Sequence, residues 1–384
     1  MTPSTALRPD PRRRSGQAPC RVVIAGGGTG GHLYPGVAIA RELLARRPDA
    51  TVTFAGTARG IESKVIPREG FALDLLRSAG LKGRSLVAVM RSVLLLPVSF
   101  VDAWRILSRR RPDLVIGVGG YSSGPVVMVA ALRRIPTLLA EQNAVPGLTN
   151  RILSRVVGAA AVTFESTVSY FGRRGFVTGN PVRPEFSEPN HERGTSDLGY
   201  RTSDVGKTRV LIFGGSQGAH AINVAMVEAS PRLAAAGGVD ITHQTGERDL
   251  ELVRRAYEEQ GLPARVEPFL FDMDREMKHA DLIVSRAGAT SIAELTAAGR
   301  AAILVPLPTA ADDHQTKNAE VLARANAAEV INQKDLTGAL LAERLLALAR
   351  DRARRDAMAR SARTFARPDA AKAIVDKALE LAGC

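Results

Sequence analysis

Short runs of aliphatic and β-branched residues, each closed by glycine or a turn residue and followed by a segment of helical period, recur along the whole chain. In the first half they fall at Arg21–Gly26, Thr51–Gly56, Leu114–Gly119, Pro136–Glu141, Ala160–Phe164 and Phe176–Gly179. In the second half they fall at Arg209–Gly214, Asp240–Thr245, Arg265–Leu270, Asp281–Ser285, Ala301–Pro306 and Glu329–Asn332. Runs that are apolar at successive positions suit strands buried on both faces, and their alternation with helical segments predicts parallel, doubly wound sheets covered by helices. Between the halves lies SEPNHERGTSDLGYRTSDVGKT (187–208), whose Ser, Thr, Asn and Gly content fits a linker or a long entry loop. The expected α/β architecture is two Rossmann-like domains facing a cleft at the carboxyl ends of their strands, where ligands bind in such sheets.

Each half opens with a strand, a glycine-rich turn and a helix: RVVIAGGGTGGH at 21–32 and RVLIFGGSQGAH at 209–220. Glycine lets backbone N–H groups approach an oxyanion, and the following helix start offers further unpaired N–H groups, so either turn is a candidate diphosphate site. Gly26, Gly28 and Gly31 also fit a dinucleotide fingerprint, but that pattern needs a carboxylate where the second strand ends. Here the strand ends Phe54-Ala55-Gly56-Thr57, which argues against a nicotinamide enzyme.

Charge adds a second theme. The 384 residues carry 52 Lys+Arg against 39 Asp+Glu, a formal +13, in an otherwise ordinary globular composition of 45% hydrophobic and 24% charged residues. The excess is local: residues 1–21 hold +4 and residues 82–111 hold +6. The first stretch reads as a flexible basic tail without the apolar core of a secretory signal. Two cysteines at opposite ends of the chain, Cys20 and Cys384, imply no disulfide framework and a reducing cytoplasm. The longest apolar stretch, Val93 to Val101, is too short to span a bilayer.

Five further motifs follow in order: GVGGYSSGP (117–125), AEQNAVPGLTNR (140–151), GNPVR (179–183), SRAGATSIAEL (285–295) and PLPTAADDHQTKNA (306–319). With the two glycine loops, they resemble the MurG family of bacterial N-acetylglucosaminyltransferases over about residues 21–380. The resemblance implies a GT-B fold and the making of lipid II from lipid I in peptidoglycan synthesis. Beyond the basic tail (1–20), which it leaves out, it implies an acceptor and membrane-associating domain (21–181), a UDP-GlcNAc domain (182–366) and a last helix (367–384) crossing back to the first domain.

The same resemblance distributes roles. Thr29, Gly30, Gly31 and His32 form the acceptor-side loop, with His32 as general base toward the 4-hydroxyl of MurNAc; an imidazole titrates close enough to neutrality for that work. Ser216 contacts phosphate, Arg183 contacts UDP, and Leu270 offers backbone groups to uracil, although its side chain reads equally well as core. Ala289, Thr290, Ser291, Ile292 and Ala293 line the nucleotide. Glu294 accepts from both ribose hydroxyls, while Ser291-x-x-Glu294 also matches a helix capping box. Gln315 and Asn143 bond the GlcNAc hydroxyls. At Ala140 the chain departs from the family, many of whose members carry histidine there, which leaves Glu141 as the nearest ionisable group.

No metal and no cofactor is expected. Asp272-Met-Asp274 looks like a metal-binding DxD but precedes a helical segment, where a capping role fits better. In 82–111, Leu86, Met90, Val93, Pro97, Phe100, Trp104 and Leu107 recur at helical steps with Arg91, Arg105 and Arg109 off that face. This suits either a helix packed on its sheet or an apolar-basic face docking at an anionic membrane. The family uses that region to sit, as a peripheral protein, on the cytoplasmic face of the plasma membrane. Expected partners are UDP-GlcNAc, lipid I, the anionic membrane surface and other cell-wall synthesis proteins, and no nucleic acid. A UDP-GlcNAc 2-epimerase of the same fold is the alternative reading.

Overall fold

The computed structural model describes residues 19–58, 60–78, 86–186, 206–215 and 218–384. Most of the basic tail, most of the 187–208 linker, Ser216, and the side chains of Leu86, Met90, Arg91 and Val93 lie outside the described residues. Thirteen described strands form two sheets. The first contains β1 (Arg21–Gly26), β2 (Thr51–Gly56), β3 (Ala72–Leu75), β4 (Leu114–Gly119), β5 (Thr137–Glu141), β6 (Ala159–Val162) and β7 (Gly175–Val177), in the order β3-β2-β1-β4-β5-β6-β7. The second contains β8 (Thr208–Phe213), β9 (Val239–Gln244), β10 (Ala264–Glu267), β11 (Leu282–Ser285), β12 (Ala301–Leu304) and β13 (Glu329–Val330), in the order β10-β9-β8-β11-β12-β13. Every described pairing is parallel.

The continuous apolar runs are explained by a layer of helices on each face. Val22 and Ile24 of β1 point into a core shared with Leu33 and Ile39, while Val23 and Ala25 point into another shared with Ala103 and Val127. The second sheet is divided likewise, with Val210 and Ile212 on one face and Leu211 and Phe213 on the other. In both sheets the order reverses beside the first strand, between β1 and β4 and between β8 and β11. At such a switch point the connections leave on opposite faces and open a crevice. The glycine loops after β1 and β8 lie at these two crevices.

All twelve runs picked out by pattern become strands, with ends shifted by a few residues. Only β3 escapes it: ALDL is a short edge strand, largely exposed, and its buried residue is Asp74. Asp74 is held by Arg110, 2.7 Å from Nε to Oδ2, and by Arg109. Two arginines of the basic segment therefore neutralise a buried carboxylate.

That segment is one helix, Leu86–Arg110. Its described inner line is Ser99, Ala103, Ile106 and Leu107, all buried, whereas Val101 and Trp104 are 48% and 55% exposed. The apolar stripe is thus divided between core and surface. Trp104 receives the Arg133 guanidinium 4.8 Å from its ring centre, and next to Arg133 stands Leu132, 73% exposed. Among the described residues no helix is long and apolar enough to cross a membrane.

The last helix, Ala370–Ala382, returns to the first sheet, where Ile374, Val375 and Ala378 join the core of Val22 and Ile24 and Asp376 pairs with Arg46. This return corrects the reading of the cysteines. Cys20, just before β1, and Cys384, just after that helix, form a disulfide with Cα atoms 5.9 Å apart. Distance in sequence concealed their proximity because the chain ends on the half in which it began.

Candidate active site

The first glycine loop is built around a carboxylate. Glu62 is fully buried and accepts hydrogen bonds from Gly28 N (2.8 Å), Thr57 N (2.9 Å) and Thr57 Oγ1 (2.9 Å). A β-carbon at Gly27 would stand 2.5 Å from the Glu62 carboxyl carbon, at a backbone φ of +146°. Glycine is thus required by the close approach of an internal anion. The Gly28 N–H is therefore already satisfied within the protein. In the second glycine loop the close approach is to a backbone carbonyl. There Gly218, at φ +73°, lies against the Thr245 carbonyl, and the helix His220–Ala236 follows directly.

His32 stands in the first turn of the helix Gly30–Arg46, where Thr29 occupies the N-cap position without a side-chain capping bond. Its Nδ1 lies 3.0 Å from Gln142 Oε1, and a β-carbon on Gly119 would come within 2.8 Å of the same nitrogen. The ring therefore sits in the crevice between β1 and β4 with its Nδ1 edge turned inward. Gln142, beyond the end of β5, donates from Nε2 to Val118 O (3.1 Å) and Ala140 O (3.0 Å). Ala140 itself points into the first core, so the site is arranged without a side chain from that position.

Glu141 is saturated as an acceptor. It takes Asn143 N (2.9 Å) and Asn143 Nδ2 (3.1 Å) on one oxygen, and Gly147 N (3.2 Å) and Asn150 Nδ2 (2.8 Å) on the other. It organises the loop 142–150 and is poorly placed to move a proton. Asn143 is buried, and its Oδ1 accepts from Asn318 Nδ2 at 3.2 Å, while Asn318 Oδ1 accepts from Ala144 N at 2.8 Å. Both ends of the Asn143 amide are thus engaged, Oδ1 across the cleft with Asn318 and Nδ2 within its own loop with Glu141, and bonding a sugar hydroxyl requires it to exchange a partner.

The two halves also meet where Thr290 Oγ1 donates to Gly31 O at 3.4 Å. Thr290 lies in the helix Ala289–Ala298, whose N-cap is Gly288. The helix starts ahead of Ser291, so Ser291 and Glu294 form no capping box; glycine at 288 supplies the extended cap conformation instead. Ala289 and Ile292 are buried, Ile292 as part of the core, while Thr290, Ser291, Ala293 and Glu294 are partly exposed. Burial pushes the Glu294 carboxyl from 4.5 up to about 7, with Arg183 opposing and Asp274 reinforcing the shift.

Arg183 is exposed, with its guanidinium 5.0 Å from the centre of the Phe186 ring. Gln315 accepts from Leu307 N through Oε1 at 3.0 Å, which ties it to the loop after β12. The Leu270 side chain is core, between Phe269 and Phe271, which are 43% and 84% exposed. Asp272 occupies the N-cap position of the helix Met273–His279, yet its carboxylate accepts no capping hydrogen bond.

Several structural partners in this cleft carry no role in the sequence reading. Glu62 lies outside every motif, while Gln142 and Asn318 lie inside two of them without one. Arg286 is another: it is buried, and its Nη1 donates to Val305 O (3.1 Å) and Pro306 O (3.3 Å), with burial lowering its pKa. Beneath the second loop, His220 Nδ1 lies 2.9 Å from Asp249 Oδ2, which also accepts from Asn223 Nδ2 at 2.8 Å. His243, pushed down to about 3 by burial, completes that network between Asn223 and Tyr257. The signal available in sequence was polar residues inside apolar runs, which does not name their partners.

Residues 22–162 match the glycosyltransferase family 28 N-terminal domain and residues 209–374 the family 28 C-terminal domain. The chain belongs to glycosyltransferase family 28. A family 28 relative from Anaeromyxobacter dehalogenans (strain 2CP-C) is 48% identical over 363 residues, covering 94% of this chain and 93% of its own. Another, from Syntrophus aciditrophicus (strain SB), is 51% identical over 329 residues, covering 85% and 88%. Both carry the name UDP-N-acetylglucosamine–N-acetylmuramyl-(pentapeptide) pyrophosphoryl-undecaprenol N-acetylglucosamine transferase. The crystal structure of Acinetobacter baumannii MurG matches with a TM-score of 0.77 at 31% identity, covering 94% of this chain and 100% of that one. A UDP-N-acetylglucosamine 2-epimerase matches with a TM-score of 0.67 at 12% identity, a likeness of fold alone. The architecture is the GT-B fold of family 28.

Proposed function

We propose that the chain transfers N-acetylglucosamine from UDP-GlcNAc to the 4-hydroxyl of MurNAc in lipid I, releasing lipid II and UDP with inversion at the anomeric carbon. The observation that carries this reading is the 48% identity over 94% of the chain to a transferase of that name. The epimerase alternative has fold likeness only.

In this reading His32 Nε2 takes the proton of the acceptor hydroxyl as its oxygen attacks the anomeric carbon. The bond from that carbon to the β-phosphate oxygen breaks, and its electron pair leaves with UDP. The amides of the second glycine loop and the start of the helix His220–Ala236 stabilise the charge that develops there. The Glu294 carboxylate accepts from the ribose diol, Arg183 meets the UDP moiety, Leu270 offers its backbone to uracil, and Gln315 and Asn143 hold the sugar. The chain works at the cytoplasmic face of the plasma membrane, docking through the exposed Trp104, Val101 and Leu132, with the exposed Arg105 and Arg134 next in sequence or nearly so.

The test is incubation with labelled UDP-GlcNAc and lipid I. Labelled lipid II and free UDP are expected; UDP-ManNAc formed from UDP-GlcNAc alone overturns the reading in favour of the epimerase.

A further inference from the structure

The His32 ring makes its described hydrogen bond to an amide, and the orientation of that amide is fixed by its other contacts. Gln142 has one oxygen that accepts and one NH2 group that donates. Two carbonyl oxygens, Val118 O at 3.1 Å and Ala140 O at 3.0 Å, surround one end of the amide. Both can only accept, so that end is the NH2 group; the reverse orientation would set three oxygens against one another in a buried place. Gln142 is 2% exposed, which leaves no water to compensate such an error. Its Oε1 is therefore the atom facing His32, at 3.0 Å.

An acceptor at that position requires a donor, so the neutral imidazole carries its hydrogen on Nδ1. Nε2 is then left with its lone pair, on the ring edge away from Gln142 and Gly119. We propose that Gln142 is a positioning residue which holds neutral His32 in the Nδ1–H tautomer and so presents Nε2 as the proton acceptor. The proposal rests on the reading of His32 as general base.

The proton account balances. Nε2 receives the hydroxyl proton as the acceptor oxygen bonds to the sugar, and the resulting imidazolium keeps its Nδ1–H donated to Gln142. Because Gln142 is neutral, it orients the ring without a fixed opposing charge.

The sheet explains why such a bridge is needed. β4 and β5 are registered through Gly117 and Leu139, and no ladder pairing is described beyond those residues. The carbonyls of Val118 and Ala140 lie just past that limit, at the switch-point end of the sheet, where strands separate to open the crevice. Gln142 spans them with its two N–H groups and turns the remaining oxygen toward the ring.

The test uses the full-length enzyme labelled with nitrogen-15 histidine, with the His32 signals assigned by their loss in His32→Asn. At a pH where His32 is neutral, the ring shifts should show a protonated Nδ1 and an unprotonated Nε2. The opposite tautomer in the wild type overturns the proposal without any kinetic measurement. In Gln142→Leu the tautomers should mix, and kcat should fall about 10- to 100-fold, part of the general-base contribution. The KM for UDP-GlcNAc and the affinity for UDP should remain within about twofold, which a disordered fold would not allow. Full kcat in Gln142→Leu beside an inactive His32→Ala refutes the positioning role and keeps the base. Near-normal turnover in His32→Ala removes the base, and the positioning role with it.

Discussion

Glu294 is a carboxyl group whose charge is costly to the folded protein, and in the proposed function that charge is what accepts from the ribose diol. Its pKa is raised from 4.5 to about 7, chiefly by burial, because the favourable field of Arg183 does not offset the lost hydration. An unfolded chain releases this proton near its ordinary pKa, whereas the folded chain keeps it until about pH 7. Between those values the folded state binds more protons, so its stability falls as pH rises, and the full penalty is present above the folded pKa. A shift of this size corresponds to about 3 kcal/mol.

Glu294→Gln removes the titration and keeps the shape. Without UDP, the variant should match the wild type within a few tenths of a kcal/mol near pH 4 and exceed it by about 3 kcal/mol at pH 8. For a unit the size of the second half, that is a rise of about 6–12 °C in melting temperature. Scanning calorimetry of both proteins at the two pH values reads it directly, since changes elsewhere in the chain cancel in the difference. The same substitution should weaken UDP by about 10- to 100-fold at pH 8, the worth of hydrogen bonds to a charged acceptor. In the wild type, UDP affinity should climb as pH passes through about 7. A stability difference independent of pH, or a variant less stable than the wild type at pH 8, refutes this account of Glu294.

Three further outcomes are expected. His32→Ala should lower kcat by about 10²–10⁴-fold with UDP affinity unchanged, measured with donor and lipid I saturating, and retention of turnover excludes the base. For the membrane face, the test is Trp104→Ser combined with Leu132→Ser: both side chains are more than half exposed, so the pair should lose binding to anionic vesicles while UDP affinity holds. Neutralising Arg109 and Arg110 is a poorer probe, because it strands the buried carboxylate of Asp74; undiminished vesicle binding by the Trp104 and Leu132 variant would place docking elsewhere. Reducing the Cys20–Cys384 disulfide should lower stability by about 2–4 kcal/mol, since the bond limits the unfolded chain, and an unfolding curve unmoved by dithiothreitol counts against the tie.

The layered fold was legible because burial on both faces leaves an apolar run that needs no partner to be named. The edge strand β3 lacks that signal: one face meets solvent, and its buried position holds Asp74, a residue that depresses strand propensity. Asp74 makes sense only beside Arg109 and Arg110, which come from a helix many residues later. The disulfide was hidden for the same reason, since nothing local to Cys20 or Cys384 encodes the return of the last helix. The basic segment 82–111 shows an intermediate case. Its helical period was visible, but which residues faced outward depended on the sheet beneath, and Trp104 left the stripe that Leu107 kept.

The two glycine loops show how far a motif alone can carry chemistry. Both follow the first strand of a parallel sheet, and both bring the backbone closer than any side chain would permit. In the first, the approaching group is the buried Glu62 carboxylate, which consumes the Gly28 amide and fixes the turn that leads to His32. In the second, Gly218 is pressed against the carbonyl of Thr245, and Asp249 is engaged by His220 and Asn223. Glycine spacing records the need for close approach and is silent about what approaches. In the first loop the approaching group is a carboxylate and in the second a carbonyl. The shape of the first loop therefore depends on Glu62, a residue thirty-four positions beyond the amide it satisfies.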